Sequence, residues 1–130
     1  MNLILFCAVA LLTFGSRNLE RPTEGRLIGT WKSSGAIIHE RDGRETRVAF
    51  DQKMEITFTP DHKEIWHDYN ANTMAVARWR LKGNVLVFTL ETASFWGPAG
   101  ITRRETIKKL TADELVFTNG EIDGLWTRVR

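Results

Sequence analysis

Beyond an apolar start, the chain alternates. Met54, Ile56 and Phe58 are apolar while Glu55, Thr57 and Thr59 between them are polar, a period of two that gives a strand one apolar face. The alternation returns at Ala75, Ala77, Trp79 and Leu81, with Arg78 and Arg80 on the opposite face, and at Leu86, Phe88 and Leu90. Val85 and Val87 make the other face of that last segment apolar too, which predicts a central or well-covered strand. Turn residues separate the segments: Asp42-Gly43, Pro60-Asp61, Asn70-Ala71-Asn72, Gly83-Asn84, Thr111-Ala112-Asp113 and Asn119-Gly120. Asp42-Gly43, lying between Ala36–His39 and Arg47–Phe50, predicts a type I′ hairpin turn. No heptad and no long helical period appears, and turn signals recur about every 8–12 residues. The expectation is all-β: about eight to ten short strands in an antiparallel meander. Closure into a small up-and-down barrel would leave no strand edge open. A two-sheet sandwich is the alternative.

The apolar start is Leu3 to Phe14, uncharged and almost wholly hydrophobic. It is shorter than the roughly 20 residues a membrane span needs and fits the core of a secretory signal peptide. Thr13 and Gly15 are small enough for the −3 and −1 sites. The expected organisation is therefore a signal peptide over 1–15, a polar lead-in over 16–26 containing Pro22 and Gly25, and one barrel domain over 27–130. The mature chain is expected to be exported, periplasmic or secreted, with no stable membrane span once the signal is removed; an uncleaved anchor or a lipoprotein is the alternative.

Composition narrows the chemistry. A chain that is 42% hydrophobic and 26% charged has enough apolar surface to fold. Lys and Arg number 18 against 16 Asp and Glu, for a net charge of +2, and they are interspersed, so no nucleic-acid surface is expected. The single cysteine, Cys7, lies in the leader, which leaves a mature domain without a disulfide, a thiolate metal site or a cysteine nucleophile. His39, His62 and His67 fall on separate segments with no metal-ligand spacing. Gly-x-Ser-x-Gly, a phosphate-binding glycine loop and a dinucleotide fingerprint are all missing. Nothing in the spacing of Glu55, Glu64, Glu91 and Glu105 brings them together. The expectation is a protein that is not an enzyme, with no catalytic residues, no metal and no cofactor.

Ile56, Phe58, Trp79, Leu86 and Phe88 are expected to face inward. Small barrels either fill with such side chains or hold one small ligand among them. Phe95-Trp96, beside Gly97-Pro98, places two aromatics in a loop. These seven residues are the candidate ligand-binding set, for a small hydrophobic ligand. An inward Arg78 or Arg103 would add a partner for a ligand carboxylate or phosphate.

Four stretches resemble the small bacterial lipocalin-like proteins of the calycin group, and they occur in that family's order. They are Leu27-Ile28-Gly29-Thr30-Trp31-Lys32, Ile56-Thr57-Phe58-Thr59-Pro60-Asp61, Trp79-Arg80-Leu81-Lys82-Gly83-Asn84-Val85-Leu86, and Ile107-Lys108-Lys109-Leu110-Thr111-Ala112-Asp113-Glu114-Leu115. The resemblance implies a lipocalin-like barrel that binds a small apolar or amphipathic molecule. It also implies closure near Gly29 by packing of Trp31 against a basic residue of the last strand, Arg128 or Arg130. His62 departs from the family's turn, which carries glycine there. A non-catalytic envelope scaffold that docks a partner through its end loops is the alternative role. The expected state is a monomer or weak homo-oligomer.

Overall fold

The structure is a computed structural model and describes residues 22–51, 53–94 and 97–130. The expected leader and the Phe95-Trp96 pair lie outside these residues. The lead-in ends in one helical turn, α1 (Glu24–Leu27), capped by Thr23, whose side chain accepts from the Arg26 amide. Leu27 is therefore the last residue of a helix rather than the first of a strand. Its side chain is fully buried.

Nine strands follow: β1 (Gly29–His39), β2 (Glu45–Ala49), β3 (Met54–Phe58), β4 (Lys63–Asp68), β5 (Thr73–Lys82), β6 (Val85–Leu90), β7 (Thr102–Leu110), β8 (Glu114–Thr118) and β9 (Ile122–Arg128). Each pairs antiparallel with its sheet neighbour, and β9 returns to β1, with Trp31 opposite Arg128 and Ile38 opposite Ile122. The barrel is closed, and the sandwich alternative is set aside.

β2 and β3 are two halves of one barrel strand, since both pair with the same edge of β1 and not with each other. Gly35 faces Ala49 and Lys32 faces Glu55, so β1 advances three residues while the opposite strand advances six. The surplus lies in the segment 50–53. Counted this way the barrel has eight strands. β4 runs only along the β3 half, ending with Asp68 opposite Met54. The outer edge of β2 has no strand partner among the described residues.

The expected hairpin at Asp42-Gly43 forms, but not with a type I′ turn. Only Gly43, at φ 88, has positive φ, and its amide donates to the Glu40 carbonyl while the Glu40 amide donates to Arg44. That is a three-residue loop with a glycine bulge, which lets Asp42 keep an ordinary backbone. The β3–β4 turn uses the same design with His62 in the glycine position, at φ 66. The strain is offset locally: the His62 ring packs 4.9 Å from Trp79 and its Nε2 lies 3.1 Å from Glu24 Oε2.

The barrel has two unlike ends. At one, Leu27, Trp31, Ile56, Phe58, Trp79, Leu86, Phe88 and Leu115 form a solid core. Arg128 seals it, with its guanidinium carbon 4.2 Å from the Trp31 ring centroid. The same guanidinium donates to the carbonyls of Ile28 at 2.9 Å, Ala112 at 2.6 Å and Arg26. Gly29, at φ 136, is required beneath it, because a Cβ there would collide with Arg128 Nη1. At the other end β4 stops opposite Met54 while β2 continues along β1.

A cavity at the open end of the barrel

The open end holds a cavity of about 720 Å³. Its mouth is the gap left where β4 stops and β2 continues, framed by Ala49, Phe50, Asp51, Met54, Asp68 and Asn70. Hydrogen bonds hold that frame: the Tyr69 amide donates to Lys53 O at 2.8 Å, and Asn70 Nδ2 donates to Asp51 Oδ2 at 3.1 Å. The far wall is made by Phe117, Asn119, Gly124 and Trp126 from β8, β9 and their turn.

Trp66 and Trp126 line the cavity and meet edge to face, with centroids 5.7 Å apart and planes at 82°. Phe117 stacks on Trp126 at 5.8 Å. The tryptophans of the solid end spend their N–H on backbone carbonyls, Trp31 on Leu27 at 2.9 Å and Trp79 on Lys63 at 3.1 Å. The Trp126 Nε1, by contrast, is buried and has no hydrogen-bond partner among the described residues.

Two carboxyls face the interior. Glu64 shares the inner face of β4 with Trp66 and is 0% exposed. Neither of its oxygens makes a hydrogen bond of ordinary geometry. Burial pushes its carboxyl up to about 8; the neighbouring Trp66 indole pulls the other way and the charge of Glu105 adds to the rise. Glu105, two residues before the buried Ile107 on β7, is half-buried and lines the cavity. Burial pushes it up to about 7, against the pull of Arg103.

Most of the sequence-predicted ligand residues lie elsewhere. Ile56, Phe58, Trp79, Leu86 and Phe88 sit in the core, and none lines the cavity. Phe95 and Trp96 fall outside the described residues, although Ser94 and Gly97 on either side of them pair at 3.0 Å. Arg78 points out of the barrel, donating to Glu91 at 2.6 Å. Arg103 lies on the Glu105 side of β7, near the loop at Gly97. The histidines are dispersed: His39 bridges Glu45 and Asp123 on the outer wall, and His67 stacks on Tyr69 at 3.9 Å. Among the described residues no group of three or more His, Cys, Asp or Glu is placed to hold a metal ion. Likewise none of the described helices is long and apolar enough to cross a membrane.

A family profile described as a lipocalin-like domain matches residues 27–117. A lipocalin-like protein from Bacteroides uniformis superposes with a TM-score of 0.63 at 15% identity, covering 81% of this chain and 100% of its own. An uncharacterized protein from Bacteroides eggerthii superposes with a TM-score of 0.60 at 14% identity, covering 79% and 99% respectively. At such identities the likeness is one of fold. None of the curated proteins matches the chain.

Proposed function

The chain belongs to the lipocalin-like domain family, and on that premise we propose that it binds one small amphipathic molecule at the open end of the barrel, as a carrier or sensor rather than a catalyst. The cavity carries this reading. Its volume of about 720 Å³ lies within the roughly 300–1,000 Å³ typical of ligand sites, and it combines aromatic walls with a few polar groups. The test is titration with a neutral apolar fluorophore such as phenylnaphthylamine. Saturable binding is expected, with quenching of the cavity tryptophans. Ala49→Trp, at an exposed position on the mouth, should weaken it about tenfold or more at unchanged melting temperature. Phe58→Leu, in the solid core against Trp79, should leave affinity unchanged. Non-saturable binding, or equal affinity in Ala49→Trp, would sink the reading.

Export is part of the same proposal, supported by the apolar run Leu3–Phe14. Fractionation of expressing cells should recover the chain outside the cytoplasm, beginning at Ser16; recovery in the cytoplasm with Met1 retained would refute it. A docking scaffold is the second reading, favoured by the exposure of Phe50, Tyr69 and Met74 at 47, 49 and 62% near the mouth. Replacing Tyr69 and Met74 with Ser should then abolish partner capture and leave fluorophore binding intact.

A further inference from the structure

The polar groups of the cavity specify the ligand's head. Its charged lining residues are Asp51, Asp68 and Glu105 against a single ammonium, Lys53. Asp51 and Asp68 are tied into the mouth by Asn70, while Glu105 stands deeper on β7. Glu64 faces Glu105 across the interior closely enough for their charges to interact, and Arg103 is the basic group whose field reaches Glu105. Beside them stand the crossed indoles of Trp66 and Trp126, backed by Phe117. The Trp126 side chain is 7% exposed, so its indole is shielded from water at the cavity wall. A ligand made only of hydrocarbon would leave the half-buried carboxyl of Glu105 without a partner, a penalty that selects for a polar head. The carboxylates and the indole faces decide its sign, because both attract a cation and the attraction strengthens where water is excluded. An anionic head would meet carboxylates instead.

We propose that the cavity selects amphipathic molecules bearing a basic nitrogen, with the ammonium held by Glu105 against the Trp66–Trp126 wall and the apolar part directed toward Met54 and Phe50 at the mouth. This rests on the cavity being a ligand site and adds the class of ligand. It also couples binding to protons. Glu105 holds a proton for part of the time when the cavity is empty, since burial lifts its carboxyl to about 7. Capture of an ammonium keeps Glu105 ionised, so that proton leaves to solvent. Affinity for amines therefore rises with pH between about pH 6 and about pH 8, and affinity for carboxylates falls.

Dodecylamine, dodecanol and dodecanoate, each below its micellar concentration, provide the test by displacing phenylnaphthylamine from the full domain. The amine is expected to bind about tenfold or more tighter than either competitor near pH 8, with a smaller advantage near pH 6 and release of protons in calorimetry. In Glu105→Gln, whose fold is checked by circular dichroism, the preference for amine over alcohol should collapse. Dodecanol or dodecanoate binding as tightly as the amine to the unmodified protein would overturn the inference while leaving the ligand site standing. So would an amine preference that survives in Glu105→Gln. Failure of all three to displace a saturably bound fluorophore would overturn the inference alone, whereas a fluorophore that does not bind saturably would bring down the ligand site and the inference together.

Discussion

Glu64 carries its carboxyl into a wall of indoles and aliphatic side chains, and its protonation is thereby tied to folding. Its ordinary value is 4.5 and the folded barrel lifts it to about 8. Between those limits the native chain keeps a proton that the unfolded chain has lost. The stability it contributes is complete below about pH 4.5 and drains away as pH rises through about 8. Glu105, lifted to about 7, acts in the same direction. Asp123 acts oppositely. Burial opposes its charge, but hydrogen bonds from Lys108, Thr118 and His39 prevail and hold it at about 2, so its contribution is lost only as pH falls through that value. Urea unfolding at a series of pH values should show stability falling between about pH 5 and about pH 8, by on the order of 1 kcal/mol per unit. Glu64→Gln should remove much of that slope; a wild-type stability that climbs with pH would show Glu64 to be solvated. The inward turn of Glu64 was only half legible in the sequence. It lies two residues from Trp66, but Glu64, Trp66 and Asp68 on one face compete with Ile65 and His67 on the other, and neither face has the apolar majority that fixes a strand's phase. Arg103, Glu105 and Ile107 present the same ambiguity on β7.

Among the elements, β3, β5 and β6 were plain in the alternation, because their inner faces are uniformly apolar and the turns between them carry Pro, Asp, Gly or Asn. The cavity was not, because Asp51-Gln52-Lys53 between β2 and β3 reads as an ordinary polar connection rather than as an opening in the wall. Val48 and Phe50 share the phase of Met54 and Ile56, with the polar Gln52 between them, although the first two are exposed and Ile56 is buried. The three surplus residues in 50–53 swing β2 away from β4 and open the wall. Deleting Phe50–Gln52 restores one-to-one register with β1, bringing Lys53 to follow Ala49 opposite Ser34. The variant should keep its far-ultraviolet dichroism, since both flanking pairings with β1 persist, and lose fluorophore binding by about tenfold or more. Retained affinity would mean that the interruption does not shape the cavity.

Across the whole molecule, closure falls on one strand. β1 is paired along one edge with β2 and β3 and along the other with β9, while β2 has no strand partner on its outer edge among the described residues. Amide hydrogen exchange should therefore be slowest in β1 and the facing part of β9, approaching the global unfolding limit, and fastest in β2. Equal protection in β1 and β2 would contradict a barrel that closes there. The solid and open ends are joined by the same strands, yet they call on different residues: Trp31, Phe58 and Phe88 fill the core, while Ala49, Glu105 and Trp126 line the cavity. The segment 50–53 stands with the second set, since Phe50, Asp51 and Lys53 line the cavity while the strands on either flank are anchored on β1. It is a natural graft site. Loops of varied length and composition inserted there would diversify recognition as antibody loops do, on a framework that never has to be rebuilt.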